Sequence, residues 1–311
     1  MSKVLVTGGA GFIGSNLVDK LIHEGEQVVI IDDLSMGLIE NMPDSNLVTF
    51  YKHSITDHEF MKELLVKERF DYIYLLAAVA SVADSVARPY ETHQINQEAN
   101  IYILEVIRKN KLPVKKILFT SSAAIYGSNP ELPKTEKSPV DPLTPYAIDK
   151  YETERYDIDF GKLYSIPTVA VRFFNVYGPR QNPKSPYSGV LSLISESIIH
   201  RSSFTLFGSG EQTRDFVFVE DVIQALLLLT KNTEITHEVF NVGSGGHVSL
   251  AEVIKSYERI SNTNLKIINR PERIGDIKHS YADINKLISV GYKPKFDIFN
   301  GLKLYWESLK G

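Results

Sequence analysis

Short apolar runs rich in β-branched residues alternate, over the first half of the chain, with longer segments in which apolar residues recur every three or four positions. The short runs are typical of buried strands, and the longer segments are typical of amphipathic helices. The pattern predicts strands at Val4–Val6, Gln27–Ile31, Leu47–Tyr51, Tyr72–Leu76, Lys116–Thr120 and Thr168–Phe173. It predicts helices at Phe12–His23, Asp57–Arg69, Tyr90–Lys109 and Tyr146–Leu163.

This alternation predicts an α/β fold, a doubly wound parallel sheet of the Rossmann type, because right-handed crossovers place helices on both faces of a sheet. We expect a first domain at residues 1–176 and a smaller C-terminal α/β domain at residues 177–311, where loops rich in Pro, Gly and Ser interrupt the alternation. The stretches Phe216–Val219 and Val239–Val242 have strand-like composition. We expect both to return to the main sheet, so that segments near 214–243 pack back on the first domain.

Composition narrows the possible functions. The chain has 311 residues and a formal net charge of −4, and the lack of basic excess argues against a nucleic-acid partner. Because cysteine is absent, disulfides, thiolate metal sites and thiol nucleophiles are excluded. The eight histidines show no metal-ligand spacing, so no metal site is expected. The apolar runs are too short to cross a bilayer and no signal peptide is apparent, which favours a cytoplasmic protein without a membrane partner.

Glycines follow the first predicted strand at the start of the first predicted helix. Gly8, Gly11 and Gly14 suit a tight turn, a close approach of a pyrophosphate to backbone N–H groups, and close packing of helix on sheet. Asp32 follows the second strand, where a carboxylate can accept hydrogen bonds from an adenosine ribose. The adjacent Asp33 and the lack of a neighbouring arginine favour NAD over NADP. A simple tight turn and a solvated acid are the structural alternatives.

A second constellation combines a serine, a tyrosine and a lysine. Thr144 and Pro145 are typical of a helix start, and Tyr146 and Lys150 then lie one turn apart on the same face. A nearby ammonium is expected to lower the pKa of the phenol, which makes it a usable base. Ser122 ends the fifth predicted strand at the sheet edge where ligands bind. The alternative is a packing ring beside a surface lysine.

At this point the sequence resembles the extended short-chain dehydrogenase/reductase family, and within it the nucleotide-sugar 4-epimerases. The likeness covers nearly the whole chain. The segments that carry it are TGGAGFIG at Thr7–Gly14, Asp32-Asp33 with Ser35 and Gly37, SSAAIYG at Ser121–Gly127, PYAIDK at Pro145–Lys150, FFNVYGPRQNP at Phe173–Pro183, TRDFVFVEDV at Thr213–Val222 and RIGDIKHSYAD at Arg273–Asp283.

The resemblance implies an NAD-dependent isomerase that epimerises C4 of a UDP-hexose or UDP-N-acetylhexosamine through a transient 4-keto sugar. It implies that Tyr146 removes the proton of the 4-hydroxyl while C4 passes its hydride to NAD. Ser122 would hold the same oxygen, and Lys150 would bind the nicotinamide ribose and acidify the tyrosine. It also implies an NAD-binding first domain, a nucleotide-sugar-binding second domain and a homodimer joined through the helices Tyr90–Lys109 and Tyr146–Leu163.

The resemblance carries over further binding residues, position by position. The cofactor-binding residues that it implies are Gly8, Gly11, Phe12, Ile13, Gly14, Asp32, Asp33, Ser35, Gly37, Ile55, Leu76, Ala77, Ala78, Asn96, Tyr146, Lys150 and Phe173. The substrate-binding residues that it implies are Ala80, Ser122, Tyr146, Asn175, Gly189, Val190, Phe207, Arg214, Phe216, Val248, Arg273, Asp276 and Ser280. Among these, Asn175, Arg214 and Arg273 are assigned to the diphosphate and Asp276 to the uridine ribose. A surface ion pair with Asp215 is the alternative for Arg214.

Related chemistries stay open as alternatives. A dehydratase of this family carries an acid at the positions of Ala123 and Ala124, and two alanines cannot act as a general acid. Enzymes that act on UDP-glucuronate usually have threonine at Asn175. Small residues at Ala80 and Ser280 favour acceptance of an N-acetyl sugar along with the plain hexose. A reductase and a non-catalytic NAD-binding regulator are the remaining alternatives.

Overall fold

The computed structural model describes residues 1–181, 189–272 and 277–310. The chain forms two compact units that are interleaved along the sequence. Unit 1 consists of Met1–Asn129, Pro139–Phe173 and Ile223–Phe240. Unit 2 consists of Pro130–Ser138, Phe174–Val222 and Asn241–Gly311. The division after Phe173 lies three residues before the expected one, and of the segment 214–243 unit 1 contains Ile223–Phe240.

The described strands, in chain order, are β1 Lys3–Thr7, β2 Gln27–Ile31, β3 Val48–Tyr51, β4 Tyr72–Leu75, β5 Lys116–Ser122, β6 Thr168–Phe173, β7 Asn175–Tyr177, β8 Ser203–Phe207, β9 Thr213–Arg214, β10 Phe216–Phe218, β11 Glu238–Val242, β12 Val248–Ser249, β13 Lys266–Arg270 and β14 His279–Ser280. The described helices are α1 Phe12–His23, α2 His58–Glu68, α3 Val82–Ala87, α4 Pro89–His93, α5 Ala99–Lys109, α6 Pro145–Tyr164, α7 Val190–Ile199, α8 Val219–Lys231, α9 Leu250–Ser261, α10 Asn285–Ser289 and α11 Ile298–Ser308. A π-type segment, Gln94–Glu98, joins α4 to α5, and short 3₁₀ turns occur at Ile39–Asn41 and Ala123–Tyr126.

Unit 1 is built on a seven-stranded sheet in the order β11-β6-β5-β4-β1-β2-β3. Strands β1 to β6 pair in parallel, with Val4 opposite both Val28 and Tyr72. Most apolar residues of β1, β2, β4, β5 and β6 are buried, whereas those of β3 are half-buried. Helices α2 and α5 pack with β4 and β5 in one continuous core that includes Met61, Ile103 and Phe119. The prediction of a Rossmann-type α/β fold is confirmed.

Two expectations about local structure need correction. Phe216–Phe218 does not join the main sheet, because β10 pairs in parallel with β7 in a separate two-stranded sheet. By contrast, β11 does lie at an edge of the main sheet. The helix expected at Tyr90–Lys109 is divided, since the π-type segment at Gln94–Glu98 separates α4 from α5.

Unit 2 contains small sheets and helices around its own core. The sheets have the orders β10-β7, β12-β9-β14 and β13-β8. Helices α7, α9 and α11 bury Ile194, Tyr257, Leu302 and Trp306 against one another and against the strands. Helix α9 begins with a capping box, in which Ser249 and Glu252 exchange hydrogen bonds between side chain and backbone.

The described residues contain no candidate membrane-spanning helix. None of the helices there combines the length and the apolar character that a bilayer crossing requires.

Candidate active site

The turn between β1 and α1 depends on glycine at two positions and leaves space at a third. Gly8 has φ +73°, and a Cβ atom there would lie 2.8 Å from the backbone nitrogen of Ala77. A Cβ atom on Gly14 would lie 2.1 Å from the carbonyl oxygen of Gly8, so even one methyl group cannot be accommodated. A Cβ atom on Gly11 would contact only the carbonyl oxygen of Gly8, at 3.2 Å. The backbone at Gly11 is therefore open to the close approach of a ligand.

Helix α1 presents its positive end at this turn. Its N-cap residue is Gly11, and within the described part of the chain neither a capping side chain nor an acidic residue occupies its first turn. The first N–H groups of a helix have no acceptor inside the helix, and the helix dipole favours negative charge there. This end of α1 is suited to the diphosphate of a dinucleotide.

Asp32 holds the glycine turn from the end of β2. It is 8% exposed, and its carboxylate accepts hydrogen bonds from the N–H groups of Ala10 at 3.0 Å and Leu34 at 2.9 Å. Burial raises the pKa of this carboxyl, and those two backbone hydrogen bonds oppose the change. Gly37 covers the carboxylate closely, because a Cβ atom there would lie 2.8 Å from an Asp32 oxygen. The predicted glycines and Asp32 thus lie together in one turn.

The neighbouring acid and serine lie further out. Asp33 and Ser35 are both exposed, and the Ser35 N–H donates to the Asp33 carboxylate at 2.9 Å. Phe12 and Ile13 belong to the first turn of α1, next to the open Gly11.

The predicted cofactor residues after β4 are held by side chains from other elements. Thr7 Oγ1 accepts hydrogen bonds from the N–H groups of Leu76 at 3.1 Å and Ala77 at 3.2 Å. The Asn96 side chain binds both backbone groups of Val79, accepting from its N–H at 2.8 Å and donating to its carbonyl at 3.2 Å. Asn96 therefore fixes the backbone that follows β4.

Three further predicted residues have different surroundings. Ala78 is half-buried in the segment that Thr7 and Asn96 hold, whereas Ile55 is buried in the apolar core of unit 1. Phe173 is half-buried at the end of β6, directly opposite Ser122 in the strand register.

Ser122, Tyr146 and Lys150 all lie in unit 1, at the end of β5 and in the first turns of α6. The Ser122 side chain is a polar neighbour of the Tyr146 phenol, and this contact acts to lower the pKa of the phenol. Ser122 Oγ also accepts from the N–H of Ala124 at 3.2 Å, which orients the hydroxyl. The predicted helix start is confirmed, since Thr144 caps α6 and Pro145 is its first residue.

The pKa of Tyr146, beside Lys150, differs from the expectation. Burial raises the pKa of the Tyr146 phenol, and the contact with Ser122 opposes that rise only in part. The prediction that this pKa is lowered is therefore wrong for the described structure, because desolvation outweighs the favourable contacts. The Lys150 ammonium is 3% exposed and donates to the carbonyl of Thr120 at 2.8 Å. Burial lowers the pKa of Lys150 to about 8.

A buried ion pair that the sequence reasoning missed connects the elements that carry these residues. Glu154, one turn beyond Lys150, accepts two hydrogen bonds from the Arg172 guanidinium, at 2.6 and 2.9 Å. Arg172 in β6 also donates to the hydroxyl of Tyr126 at 2.8 Å. Tyr126 closes the short turn that begins after Ser122. No sequence signal marks this pair, because Arg172 is distant in the sequence from both Glu154 and Tyr126.

One group of metal-ligating side chains occurs in unit 1 outside these residues. The ligand atoms of His93, Asp149 and Glu152 lie within 4.8 Å of one another. His93 Nδ1 is 2.8 Å from an Asp149 oxygen, and Glu152 accepts a hydrogen bond from Gln97 at 2.6 Å. These contacts account for the cluster as hydrogen bonding between helices.

Unit 2 contains a cavity of about 730 Å³. Its lining includes the predicted substrate residues Asn175, Gly189, Val190, Phe207, Arg214 and Phe216. Its volume is within the range of about 300–1,000 Å³ that is usual for small-molecule sites.

The remaining predicted substrate residues are found in different places. Val248 and Ser280 both lie opposite Arg214, on the strands that flank β9 on either side. Ala80 is exposed in unit 1, at the end of the segment that follows β4. Arg273 and Asp276 lie outside the described residues.

Asp215 is a buried acid whose contacts the sequence reasoning missed. It is fully buried, and its carboxylate accepts hydrogen bonds from the N–H and hydroxyl of Ser244, at 2.8 and 2.7 Å. The N–H groups of Gly245 and Ala282 donate to its other oxygen at 3.2 and 3.3 Å. The alternative of a surface ion pair with Arg214 is wrong, because this carboxylate is directed inward to backbone donors.

The backbone of Asp215 also organises the cavity wall. Its carbonyl accepts from the backbone N–H of Asn175 at 3.1 Å and from the Asn175 side chain at 2.9 Å. Its N–H donates to the carbonyl of Ser280 at 3.0 Å. The Arg214 guanidinium donates to the carbonyl groups of Thr213 at 2.9 Å and Lys278 at 3.3 Å.

Comparison with known proteins agrees with this geometry. The model of the NAD dependent epimerase/dehydratase family matches residues 4–243. The chain belongs to this family. Its cofactor is accordingly NAD, as the glycine turn and Asp32 had indicated.

Individual relatives are similar over almost the whole chain. The UDP-glucose 4-epimerase of Mycolicibacterium smegmatis is 34% identical over 305 residues, which is 96% of each protein. The crystal structure of UDP-glucose 4-epimerase with UDP-glucose from Thermotoga maritima has a TM-score of 0.93 at 38% identity and covers 99% of this chain and 98% of its own. The UDP-N-acetylglucosamine 4-epimerase of Methanobrevibacter ruminantium, in complex with UDP-N-acetylmuramic acid, has a TM-score of 0.93 at 36% identity with the same coverage. The resemblance to nucleotide-sugar 4-epimerases is thereby confirmed.

Proposed function

We propose that the protein is an isomerase, an NAD-dependent 4-epimerase of UDP-sugars, in which unit 1 binds NAD and unit 2 binds the nucleotide sugar. The observation that carries the proposal is the polar contact of Tyr146 with Ser122 in the same unit as the glycine turn and Asp32. The named activities of the similar proteins, UDP-glucose and UDP-N-acetylglucosamine 4-epimerases, support it.

In this proposal the ionised Tyr146 side chain, a phenolate, takes the proton of the sugar 4-hydroxyl and becomes a neutral phenol, which later returns the proton. Ser122 donates a hydrogen bond to the same sugar oxygen, so that the oxygen stays fixed while C4 changes from carbinol to ketone and back. Bound NAD supplies the oxidation and the subsequent reduction at C4, which leaves no net redox change. Between the two steps the keto sugar rotates and presents the opposite face of C4 to the cofactor.

The chain itself provides two effects that favour the ionised phenol during turnover. Tyr146 is the second residue of α6, where the positive end of the helix dipole stabilises a developing negative charge. Lys150 is on the same helix face one turn later, and its ammonium is fixed by the Thr120 carbonyl. Both effects act against the desolvation that raises the pKa of the resting phenol.

In unit 2, we propose that Arg214 and Asn175 bind the diphosphate, with Arg273, and that Asp276 binds the uridine ribose. An arginine fork matches adjacent phosphate oxygens better than a lysine does. Phe207, Phe216 and the start of α7 at Val190 line the cavity for the nucleotide.

We propose that both the plain and the N-acetyl sugar are accepted, as UDP-glucose/UDP-galactose and UDP-N-acetylglucosamine/UDP-N-acetylgalactosamine. Small side chains at Ala80 and Ser280, the two positions that the resemblance assigns to the substrate, support this choice. The test is Ser280→Tyr, which is expected to abolish turnover of the N-acetyl sugar and to retain that of the plain hexose. Equal loss of both activities contradicts this assignment.

The main test is a product screen. The purified protein is incubated with UDP-glucose, UDP-N-acetylglucosamine and UDP-glucuronate without added reduced cofactor, and the C4 configuration of each product is read by proton NMR. Epimers of the first two substrates are expected. Epimerisation of UDP-glucuronate alone, release of water, or bound NAD without any turnover would each replace the proposal by one of the alternatives.

Substitution tests the assigned base. Tyr146→Phe is expected to lower kcat by about 10²–10⁴-fold, the usual contribution of a positioned acid or base. Tyr156→Phe is the matched control, since it removes an exposed hydroxyl from the same helix. Full activity of the Tyr146 variant refutes the assignment.

We also propose a homodimer. Large apolar side chains are exposed on adjacent helices of unit 1, with Val86 and Tyr90 at 62% and 69% on α3 and α4, and Leu163 at 75% on α6. Light scattering after gel filtration is expected to give twice the chain mass, and Tyr90→Glu with Leu163→Glu is expected to give the monomer. A wild-type monomer overturns this proposal.

A further inference from the structure

The first turn of α6 is held by a hydroxyl group from another helix. Ser85 in α3 is fully buried, and its Oγ accepts a hydrogen bond from the backbone N–H of Tyr146 at 3.1 Å. The same hydroxyl donates to the carbonyl of Val82 at 2.7 Å, which fixes its direction. The Ser85 hydroxyl thus acts as a donor and as an acceptor at the same time.

This contact satisfies a group that the helix cannot satisfy itself. The first N–H groups of an α-helix lack acceptors within the helix. In α6 the side chain of Thr144 accepts from Ala147 at 3.3 Å, and Pro145 has no N–H to satisfy. The N–H that Ser85 binds belongs to Tyr146, so the contact acts on the backbone that carries the phenol.

The contact also joins α6 to the segment after β4. Helix α3 begins directly after that segment, and Ser81 caps it by accepting from Asp84 N–H at 2.9 Å. Upstream, Asn96 binds the backbone of Val79. A short, hydrogen-bonded path therefore leads from the cofactor side of β4 to the backbone of the proposed base.

We propose that Ser85 is a positioning residue for Tyr146, which keeps the phenol oxygen in contact with Ser122. The proposal rests on the epimerase function proposed above. A displacement of the phenol by a fraction of an ångström weakens its contact with Ser122 and misplaces the acceptor of the substrate proton. Such changes act on the chemical step more than on the binding of a nucleotide sugar in unit 2.

The test compares Ser85→Ala with Ser195→Ala. Ser195 is also fully buried, and it donates to the Leu191 carbonyl and contacts the Tyr257 hydroxyl, remote from α6 in sequence and within unit 2. We expect Ser85→Ala to lower kcat about tenfold with KM for the UDP-sugar within about twofold of wild type. We expect its kcat–pH profile to move to higher pH, because the phenol loses part of the Ser122 contact. The control is expected to keep the kcat and the pH profile of wild type.

A second measurement does not depend on turnover. Ultraviolet difference titration of each protein against its own Tyr146→Phe derivative isolates one phenol among the 16 tyrosines of the chain. The pKa of that phenol is expected to be higher in Ser85→Ala than in wild type. An unchanged phenol titration overturns the positioning role, and so does an unchanged kcat in an active enzyme. Absence of turnover in wild type on every UDP-sugar counts against the proposed function instead, and the titration alone then decides the role of Ser85.

Discussion

Lys150→Met is expected to make the protein more stable at neutral pH while it removes the proposed activity. The native structure keeps the Lys150 ammonium 3% exposed, and burial lowers its pKa from 10.5 to about 8. Below pH 8 the folded protein therefore carries a buried charge whose full hydration is available only in the unfolded chain. Methionine has a similar length and no charge, so it fills the same space without this cost.

The magnitude follows from the pKa difference. A lowering from 10.5 to about 8 corresponds to about 3.5 kcal/mol, at roughly 1.4 kcal/mol per unit. The lost hydrogen bond to the Thr120 carbonyl, 2.8 Å long, offsets about 1 kcal/mol of that. The expected net gain in the free energy of unfolding is about 2.5 kcal/mol at pH 7.

The pH dependence carries a definite sign. Between pH 8 and 10.5 the unfolded chain keeps the Lys150 proton that the folded chain has released. The stability of wild type therefore rises with pH over this window relative to that of the variant. The advantage of Lys150→Met is expected to be complete below pH 8 and to disappear by about pH 10.5.

The assay is urea unfolding of nucleotide-free protein from pH 6.5 to 10.5. Far-ultraviolet circular dichroism follows both units, and fluorescence of the single tryptophan, Trp306, follows unit 2. Lys162→Met is the control, because it removes a 56% exposed lysine from the same helix. A Lys150 variant that is less stable than wild type at pH 7, or one whose advantage does not change with pH, refutes this reasoning.

Three further predictions concern other contacts. Asp215→Asn places an amide against the backbone donors that the carboxylate now binds, and it is expected to destabilise unit 2 by about 2–3 kcal/mol, measured by tryptophan fluorescence in urea. Arg172→Met leaves the buried Glu154 unpaired and is expected to lower the free energy of unfolding by about 3–5 kcal/mol. In a double-mutant cycle, the additional substitution Glu154→Leu is expected to restore part of that loss. Gly14→Ala places a methyl group against the Gly8 carbonyl and is expected to weaken NAD binding at least tenfold, as measured by calorimetry. Unchanged NAD affinity would contradict this account of the turn.

The central sheet was predictable because its signal is local. The strands Gln27–Ile31 and Thr168–Phe173 and the helix Phe12–His23 were predicted with the bounds that the structure shows. Their burial is set by the periodicity of apolar residues, which the sequence displays directly. The cap of α6 by Thr144 was predictable for the same reason, since capping depends on neighbouring residues.

The misplaced strand shows where local reasoning ends. Phe216–Phe218 has the composition of a buried strand, and it is buried, but its partner is β7 and not the main sheet. Composition indicates that a segment forms a buried strand, whereas the strand with which it pairs depends on contacts between distant residues. The division of the helix after Tyr90 is equally a result of packing, because Asn96 in the π-type segment is fully buried against the backbone of Val79.

The candidate site was predictable at the residues that occur in motifs and not at those that support them. Asp215, Arg172 and Ser85 act through burial and through hydrogen bonds to distant backbone groups, and no spacing in the sequence displays such contacts. The direction of the Tyr146 pKa was missed for the same reason. Spacing placed a cation nearby, but the desolvation that raises the pKa depends on the folded surroundings.

Asp215 binds the main chain of Ser280, and strand pairing sets Val248 and Ser280 opposite Arg214 through backbone positions. Because these contacts involve backbone atoms, they are compatible with different side chains at positions 248 and 280. Single replacements at these two positions can accordingly change the surface on both sides of Arg214 without altering the strand pairing beneath it. Variation of the side chains is thereby separated from the backbone contacts that keep Arg214 in place.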